Sequence, residues 1–204
     1  GKRTFAASPW REALLKYKTL YDNGYVAEDS LQMGAAQAIK LFNDGEAAMM
    51  FNGNWGYENM VEEGARPFRR GFMPLPGNEP GEPLVLSAGV GGGTVINRNT
   101  KHMDDVLAVL QYQFDPSSPL HAQYKRQYSI FPSYKGEDVG IEEFKDYAAL
   151  FRHTDSVYFS NQAWPVGIAD VLCTRFQDWI AGVGTVDDIL AAMDEELARL
   201  TAKP

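Results

Sequence analysis

The chain has 204 residues, material for one large domain or two small ones, with 45% hydrophobic and 23% charged residues, the ordinary balance of a globular protein. Its net charge of −8 argues against nucleic acid, whose phosphates need a basic patch, and against an anionic membrane surface. No window approaches the roughly 18 apolar residues of a spanning helix, so no direct membrane insertion is expected; the single Cys173 cannot close an internal disulfide and leaves the compartment open.

Ser8-Pro9 is a helix start, with Ser as N-cap and Pro in the first turn. Trp10, Leu14, Tyr17 and Tyr21 then share one face, and Asn23-Gly24 stops the helix. A second helix is expected over Ser30–Asn43, burying Ala35, Ala38, Ile39 and Phe42 before the Asp44-Gly45 turn. Ala47–Phe51 reads as a short strand, with small and apolar residues at both parities as a sheet covered on both faces requires. The corner Asn52-Gly53-Asn54 tolerates positive φ and presents Trp55 at the mouth of a helical pattern running from Gly56 to Gly64. In an open α/β sheet, ligands collect outside the carboxyl ends of strands, where an indole is placed to stack. Strands over Gly71–Leu75 and Leu84–Ala88 flank the polar turn Gly77–Pro83, and Thr94–Asn97 is a further strand. Ala47–Phe51 and Gly71–Leu75 are expected in one sheet.

Met103, Val106, Leu107, Leu110 and Phe114 mark an amphipathic helix. Asp115-Pro116-Ser117-Ser118-Pro119 ends it and caps another over Pro119–Gln127. Tyr128–Tyr134 reads as extended, Ile141–Phe151 as a helix, and Arg152–Pro165 as a loop with few helix formers. Two helices finish the chain. The first spans Ile168–Ala181; the second is capped by Thr185 with Asp188 three residues on, and buries Ile189, Leu190, Met193, Leu197 and Leu200. Strands separated by helices make the class α/β.

The run Gly89-Val90-Gly91-Gly92-Gly93 lacks the Lys-Ser/Thr of a phosphate loop, and Thr94 stands where a dinucleotide fingerprint needs its third glycine. It reads either as a strand crossing where backbones approach closely or as backbone N–H groups offered to a ligand, and the two are compatible. His102, His121 and His153 have no metal-ligand spacing, and no metal or cofactor is expected. The acidic pairs Glu62-Glu63, Asp104-Asp105 and Glu195-Glu196 are adjacent rather than opposed and read as solvated faces. Cys173 lies in a helical pattern with Leu172 and Phe176, which suits a buried inert thiol. Trp10 and Trp179 fit apolar stripes and are core by default. Trp55 and Trp164 sit at loop–helix junctions beside Asn and Gln, a pairing that offers a ring for sugar C–H faces and amides for hydroxyls; each could equally plug a surface.

Several of these segments resemble a family. Phe42–Trp55, read as F-x-x-G-x-A-A-M-x-x-x-G-x-W, is similar to the signature of extracellular solute-binding proteins of ABC importers, the carbohydrate-binding group that includes maltose-binding protein. Gly71-Phe72-Met73-Pro74-Leu75-Pro76-Gly77, the glycine-rich Ser87–Ile96 segment, and Trp179-Ile180-Ala181-Gly182 followed by Thr185–Asp188 resemble further segments in the family's order. The likeness runs over nearly the whole chain. It implies a periplasmic-binding-protein-like (type II) two-lobe α/β fold, of which this chain is the C-terminal half. Residues 1–86 and 132–204 would build the second lobe, and residues 87–131 a helical excursion into the first. The excursion would leave the apolar face of Val106, Leu110 and Phe114 partly exposed, repacked or covered by a neighbouring chain.

The resemblance implies a receptor without catalytic residues, extracytoplasmic in the periplasm or as a lipoprotein anchored at the outer face of the cell membrane. Its partners would be a sugar or oligosaccharide and the membrane permease subunits of the importer. Trp55 would stack on the sugar, Asn54 and Asn161 would bond hydroxyls, and the Gly91, Gly92 and Gly93 backbone would contribute from the other lobe, with Trp164 as a second aromatic. The alternatives are a glycoside-processing enzyme, which needs two facing carboxylates about 5–10 Å apart, and an adaptor domain with no small ligand.

Overall fold

The computed structural model describes residues 4–60, 67–76, 79–89, 91, 93–128, 142–151 and 155–202. Their elements in chain order begin with α1 (Trp10–Asp22), α2 (Ala35–Asn43), α3 (Tyr57–Met60), β1 (Val85–Ser87), α4 (Met103–Phe114) and α5 (Pro119–Tyr128). There follow α6 (Lys145–Phe151), β2 (Asp155–Val157), α7 (Ser160–Ala163), α8 (Ile168–Ile180) and α9 (Val186–Thr201). The chain divides into two units: Gly1–Met33 with Tyr158–Pro204, and Gly34–Val157.

The first unit joins the two ends of the chain. Ile189, Leu190 and Met193 of α9 are fully buried with Ile168 of α8, and Leu14 of α1 and Phe5 close the cluster. These positions recur every three or four residues, so each helix turns one stripe inward. Val171, Leu172, Phe176 and Trp179 continue the α8 stripe. Cys173 falls off it and is exposed, which corrects the expected buried thiol. Trp10 and Trp179 are half-buried at the margin of the cluster. Asp194 holds the amino-terminal segment against α9: one carboxylate oxygen accepts from Phe5 N at 2.6 Å and the other from Ala6 N at 3.1 Å.

Helix ends follow the glycines. Gly24, Gly45 and Gly182 take φ of 69°, 75° and 88°, conformations open to a residue without Cβ. After each, the next amide reaches back across the final turn: Tyr25 N to Leu20 O, Glu46 N to Leu41 O and Val183 N to Asp178 O, at 2.8–2.9 Å. That bond, with the glycine N–H bonded one turn back, is the Schellman closure. At the start of α9, Asp188 N donates to Thr185 Oγ1 at 3.3 Å and Asp188 Oδ2 accepts from Thr185 N at 2.8 Å, the expected capping box. The first helix begins one residue later than expected, with Pro9 at the cap position and Ser8 Oγ 3.4 Å from Trp10 N.

In the second unit β1 and β2 pair in parallel, with Leu86 opposite Ser156, and Ala88 N extends the ladder to Val157 O at 2.9 Å. Parallel strands require a crossover, and here the connection carries α4, α5 and α6. Leu86 is buried at the centre of β1. A small aromatic core joins Tyr57, Phe144 and Ala148, with Phe72 and Tyr147 against it. At the α4–α5 corner His121 is buried, its N–H bonded to Ser118 Oγ at 3.0 Å and its Nδ1 3.2 Å from Gln113 O. No residue of α4 is buried: Phe114 is exposed, and Val106 and Leu110 are half-buried.

Several expected elements are corrected. Ala47–Phe51, Gly71–Leu75 and Thr94–Asn97 are not strands, and the first two share no sheet. A strand persists where its N–H and C=O groups meet a ladder partner, and among the described residues only β1 and β2 supply one to each other. Met49, Phe51, Met73, Leu75 and Val95 are accordingly exposed. The helix expected over Ser30–Asn43 breaks into a 3-10 turn, Ser30–Gln32, and α2; extended Gly34 caps α2, its N–H bonded to Gln37 Oε1 at 3.0 Å. The expected loop Arg152–Pro165 contains β2 and α7. Residues 61–66, Gly92, and the extended segment expected over Tyr128–Tyr134 beyond Tyr128 lie outside the described residues.

Candidate functional site

The corner that carries Trp55 is built from its glycines and its first asparagine. Asn52 Oδ1 accepts from Gly53 N at 2.8 Å, which folds the amide over the turn. Gly53 is extended at φ −92°, and a 3-10 turn over Asn54–Gly56 then runs directly into α3. A Cβ at position 53 would fall within 3.0 Å of Cζ3, Cη2 and Cε3 of the Trp55 ring, so the indole lies against the Gly53 backbone. A Cβ at position 56 would stand 2.7 Å from Asn52 Cγ. Gly53, read in the sequence as tolerant of positive φ, and Gly56 are therefore sites of close approach. Neither has positive φ.

The far end of the corner is anchored in the aromatic core. Tyr57 is buried, its ring 5.2 Å from Phe144 at 61° and 5.7 Å from Phe72. Phe72 stacks on Phe144 with centroids 4.0 Å apart. Gly71–Leu75 thus supports the corner through one aromatic ring, not through a sheet. Trp55 points the other way and is 61% exposed. Asn54 beside it is half-buried. Chemically, the corner offers a broad apolar ring flanked by amides, a surface suited to a ligand that is apolar on its face and polar at its edge.

The remaining sequence-predicted residues are distributed over both units. Gly91 and Gly93 lie in the second unit beyond β1 and are exposed; among the described residues a Cβ on either would meet nothing within 4 Å, so no close approach of described backbone explains them. Asn161 and Trp164 belong to the first unit. Asn161 is exposed on α7. Trp164 follows that helix and is half-buried, its ring 5.3 Å from Phe5 and 5.1 Å from Trp10 in edge-to-face contacts. Asn52 and Tyr57 were not singled out by the sequence reading. The first was read only as a turn former, and the second shows no periodic pattern with the distant Phe144 it meets.

Elsewhere in the first unit, a groove of about 320 Å³ runs between the end of α8 and the start of α9, lined by Arg175, Asp178, Thr185, Asp188, Ala192 and Glu195. Arg175 faces Asp178 at 3.6 Å, and hydrogen bonds from Thr185 hold the Asp188 carboxyl below the usual carboxylate range. Of its polar lining, Arg175 with Asp178 and Thr185 with Asp188 are paired within the chain. Among the described residues, no three His, Cys, Asp or Glu side chains are grouped for a metal ion, and no helix is long and apolar enough to cross a membrane.

Comparison with known proteins gives a family and a fold. The sequence profile of the family described as bacterial extracellular solute-binding protein matches residues 1–118, which include Asn52–Tyr57 and Gly91–Gly93. A solved structure described as a chitin oligosaccharide binding protein superposes with a TM-score of 0.81 at 21% identity, over 97% of this chain and 51% of that one. The chain therefore has the α/β fold of a periplasmic-binding-protein-like (type II) protein and spans about half the length of the structure it matches. Among curated proteins no sequence matches the chain.

Proposed function

The chain belongs to the bacterial extracellular solute-binding protein family, and we propose that it binds a sugar or oligosaccharide in a cleft between lobes and delivers it to the permease of an ABC importer. The observation that carries this reading is the Trp55 corner: an indole 61% exposed, flanked by asparagines, braced from behind by Tyr57 and lying inside the matched family segment. Trp55 is the stacking platform, Asn54 and Asn161 bond hydroxyls, and the Gly91–Gly93 backbone contributes from the opposite lobe. Trp164 is a second aromatic at the margin, its ring oriented by Phe5 and Trp10. We assign residues 1–86 and 132–204 to one lobe and 87–131 to an excursion into the other. The protein acts outside the cytoplasm, in the periplasm or on a lipid anchor.

The similarity to a protein described as binding chitin oligosaccharide makes N-acetylglucosamine oligomers the first ligands to try. Family membership favours a receptor over the glycoside-processing alternative. Saturation-transfer NMR with chitotriose, maltotriose and an unrelated disaccharide tests both. Transfer to one sugar class, abolished by Trp55→Ala, is expected. Silence with every sugar from the full-length protein would sink the receptor reading, and release of shorter sugars would move the case to an enzyme.

A further inference from the structure

We propose that Asn52 and Gly53 are positioning residues that fix the orientation of the Trp55 indole before any ligand arrives. Three observations meet at this point. Gly53 leaves open the volume in which the ring lies against the backbone, since a Cβ there would overlap three ring carbons. Asn52 Oδ1 accepts from Gly53 N at 2.8 Å and so sets the peptide plane on which the ring rests. Gly56 lets the Asn52 amide fill the inside of the corner, where any Cβ would strike Asn52 Cγ at 2.7 Å. The amide is thus wedged between the two glycines, and the ring lies against the first of them.

The consequence is preorganisation. An exposed tryptophan on an ordinary turn samples several rotamers, and a ligand must select one, which lowers the affinity it can show. Here the backbone supplies a floor under the ring, so one side of the indole is set by Gly53 and a flat ligand approaches from the solvent side. Because the clash at position 53 is with the far end of the Trp55 side chain, Gly53→Ala displaces the ring and leaves the chain path intact. Asn52 works through the turn, so Asn52→Asp, which keeps an acceptor for Gly53 N, preserves the orientation that Asn52→Ala loosens.

The test labels the chain with 5-fluorotryptophan and reads the four tryptophan resonances by ¹⁹F NMR without ligand, Trp55 being assigned by its loss in Trp55→Phe. Gly53→Ala is expected to shift the Trp55 resonance and leave those of Trp10, Trp164 and Trp179 in place. Asn52→Ala should shift or broaden the same resonance, and Asn52→Asp should restore it. A Trp55 resonance unmoved by both Gly53→Ala and Asn52→Ala overturns the proposal. Should Gly53→Ala collapse the fold, visible as coalescence of all four signals, the Asn52 pair decides alone. A second arm rests on the sugar-binding reading: titration with chitotriose, in which Gly53→Ala weakens binding roughly 3- to 10-fold, the factor carried by part of an aromatic contact, and adds nothing in a Trp55→Ala background. If Trp55→Ala leaves sugar binding untouched, the site reading fails while the ligand-free resonances still judge the positioning role.

Discussion

Trp55 is held by what its neighbours lack. Gly53 has no Cβ to push the ring away, and the indole keeps 61% of its surface in solvent, so it contributes little to folding. Trp55→Ala is therefore expected to weaken oligosaccharide binding by about 1–3 kcal/mol with the thermal midpoint unchanged, measured by NMR titration and melting of the same samples. Asp194 is the opposite case, a side chain that organises the fold. Its carboxylate accepts the Phe5 and Ala6 amides, and a charged acceptor loses about 1.5–3 kcal/mol when removed. Asp194→Ala should lower stability by that amount in urea unfolding and speed hydrogen exchange at those two amides; unchanged exchange would show that the clamp does not hold in solution. At this scale the sequence was legible where the cause is local. Asn52-Gly53-Asn54 announces a corner with an exposed ring after it. The partners of Trp164 were not legible, because Phe5 and Trp10 arrive from the other end of the chain.

Helices in this chain were legible because their ends are written locally. Asn23-Gly24, Asp44-Gly45 and Ala181-Gly182 each close a Schellman turn, and Thr185 with Asp188 opens α9. Thr185→Ala removes the hydroxyl that accepts from Asp188 N and should cost about 1 kcal/mol of stability. The pH dependence has a defined sign. Hydrogen bonds from Thr185 lower the Asp188 pKa from its ordinary 3.8, so the carboxylate's contribution is present above 3.8 and is lost as pH falls through the lower folded value. The gap between the thermal midpoints of the parent and of Thr185→Ala should accordingly be larger at pH 6 than in acid below about 3.8, where the hydroxyl's bond to Asp188 N remains; a gap independent of pH would assign the cap to that bond alone. Strands were less legible. Ala47–Phe51 has the composition of a covered strand, but a strand is a relation between segments, and the described chain offers this one no partner.

Across the whole molecule, each unit has its own apolar cluster: one gathers Phe5, Leu14 and the α8 and α9 stripes, the other Tyr57, Phe144 and Ala148. The stripes could be read from periodicity, whereas their pairing across the length of the chain could not. Helix α4 has apolar Met103, Leu107, Val109 and Phe114 exposed and no residue buried. The length of the chain bears on the proposed site. A receptor that closes over its ligand gathers affinity from both sides of the cleft, and the chain spans 51% of the solved structure it matches. In the proposed reading, Trp55 and its asparagines form one wall, and the second wall is represented only by the excursion. Residues 1–204 are therefore expected to bind chitotriose with a Kd on the order of 1 mM or weaker, about −4 kcal/mol, which is what one stacking ring and a few hydroxyl bonds sustain without closure. The titration that follows the Trp55 resonance measures it. Micromolar affinity would require contacts on both faces of the sugar from within this chain, and the Trp55 corner would then be half of a complete site instead of one wall of a shared one.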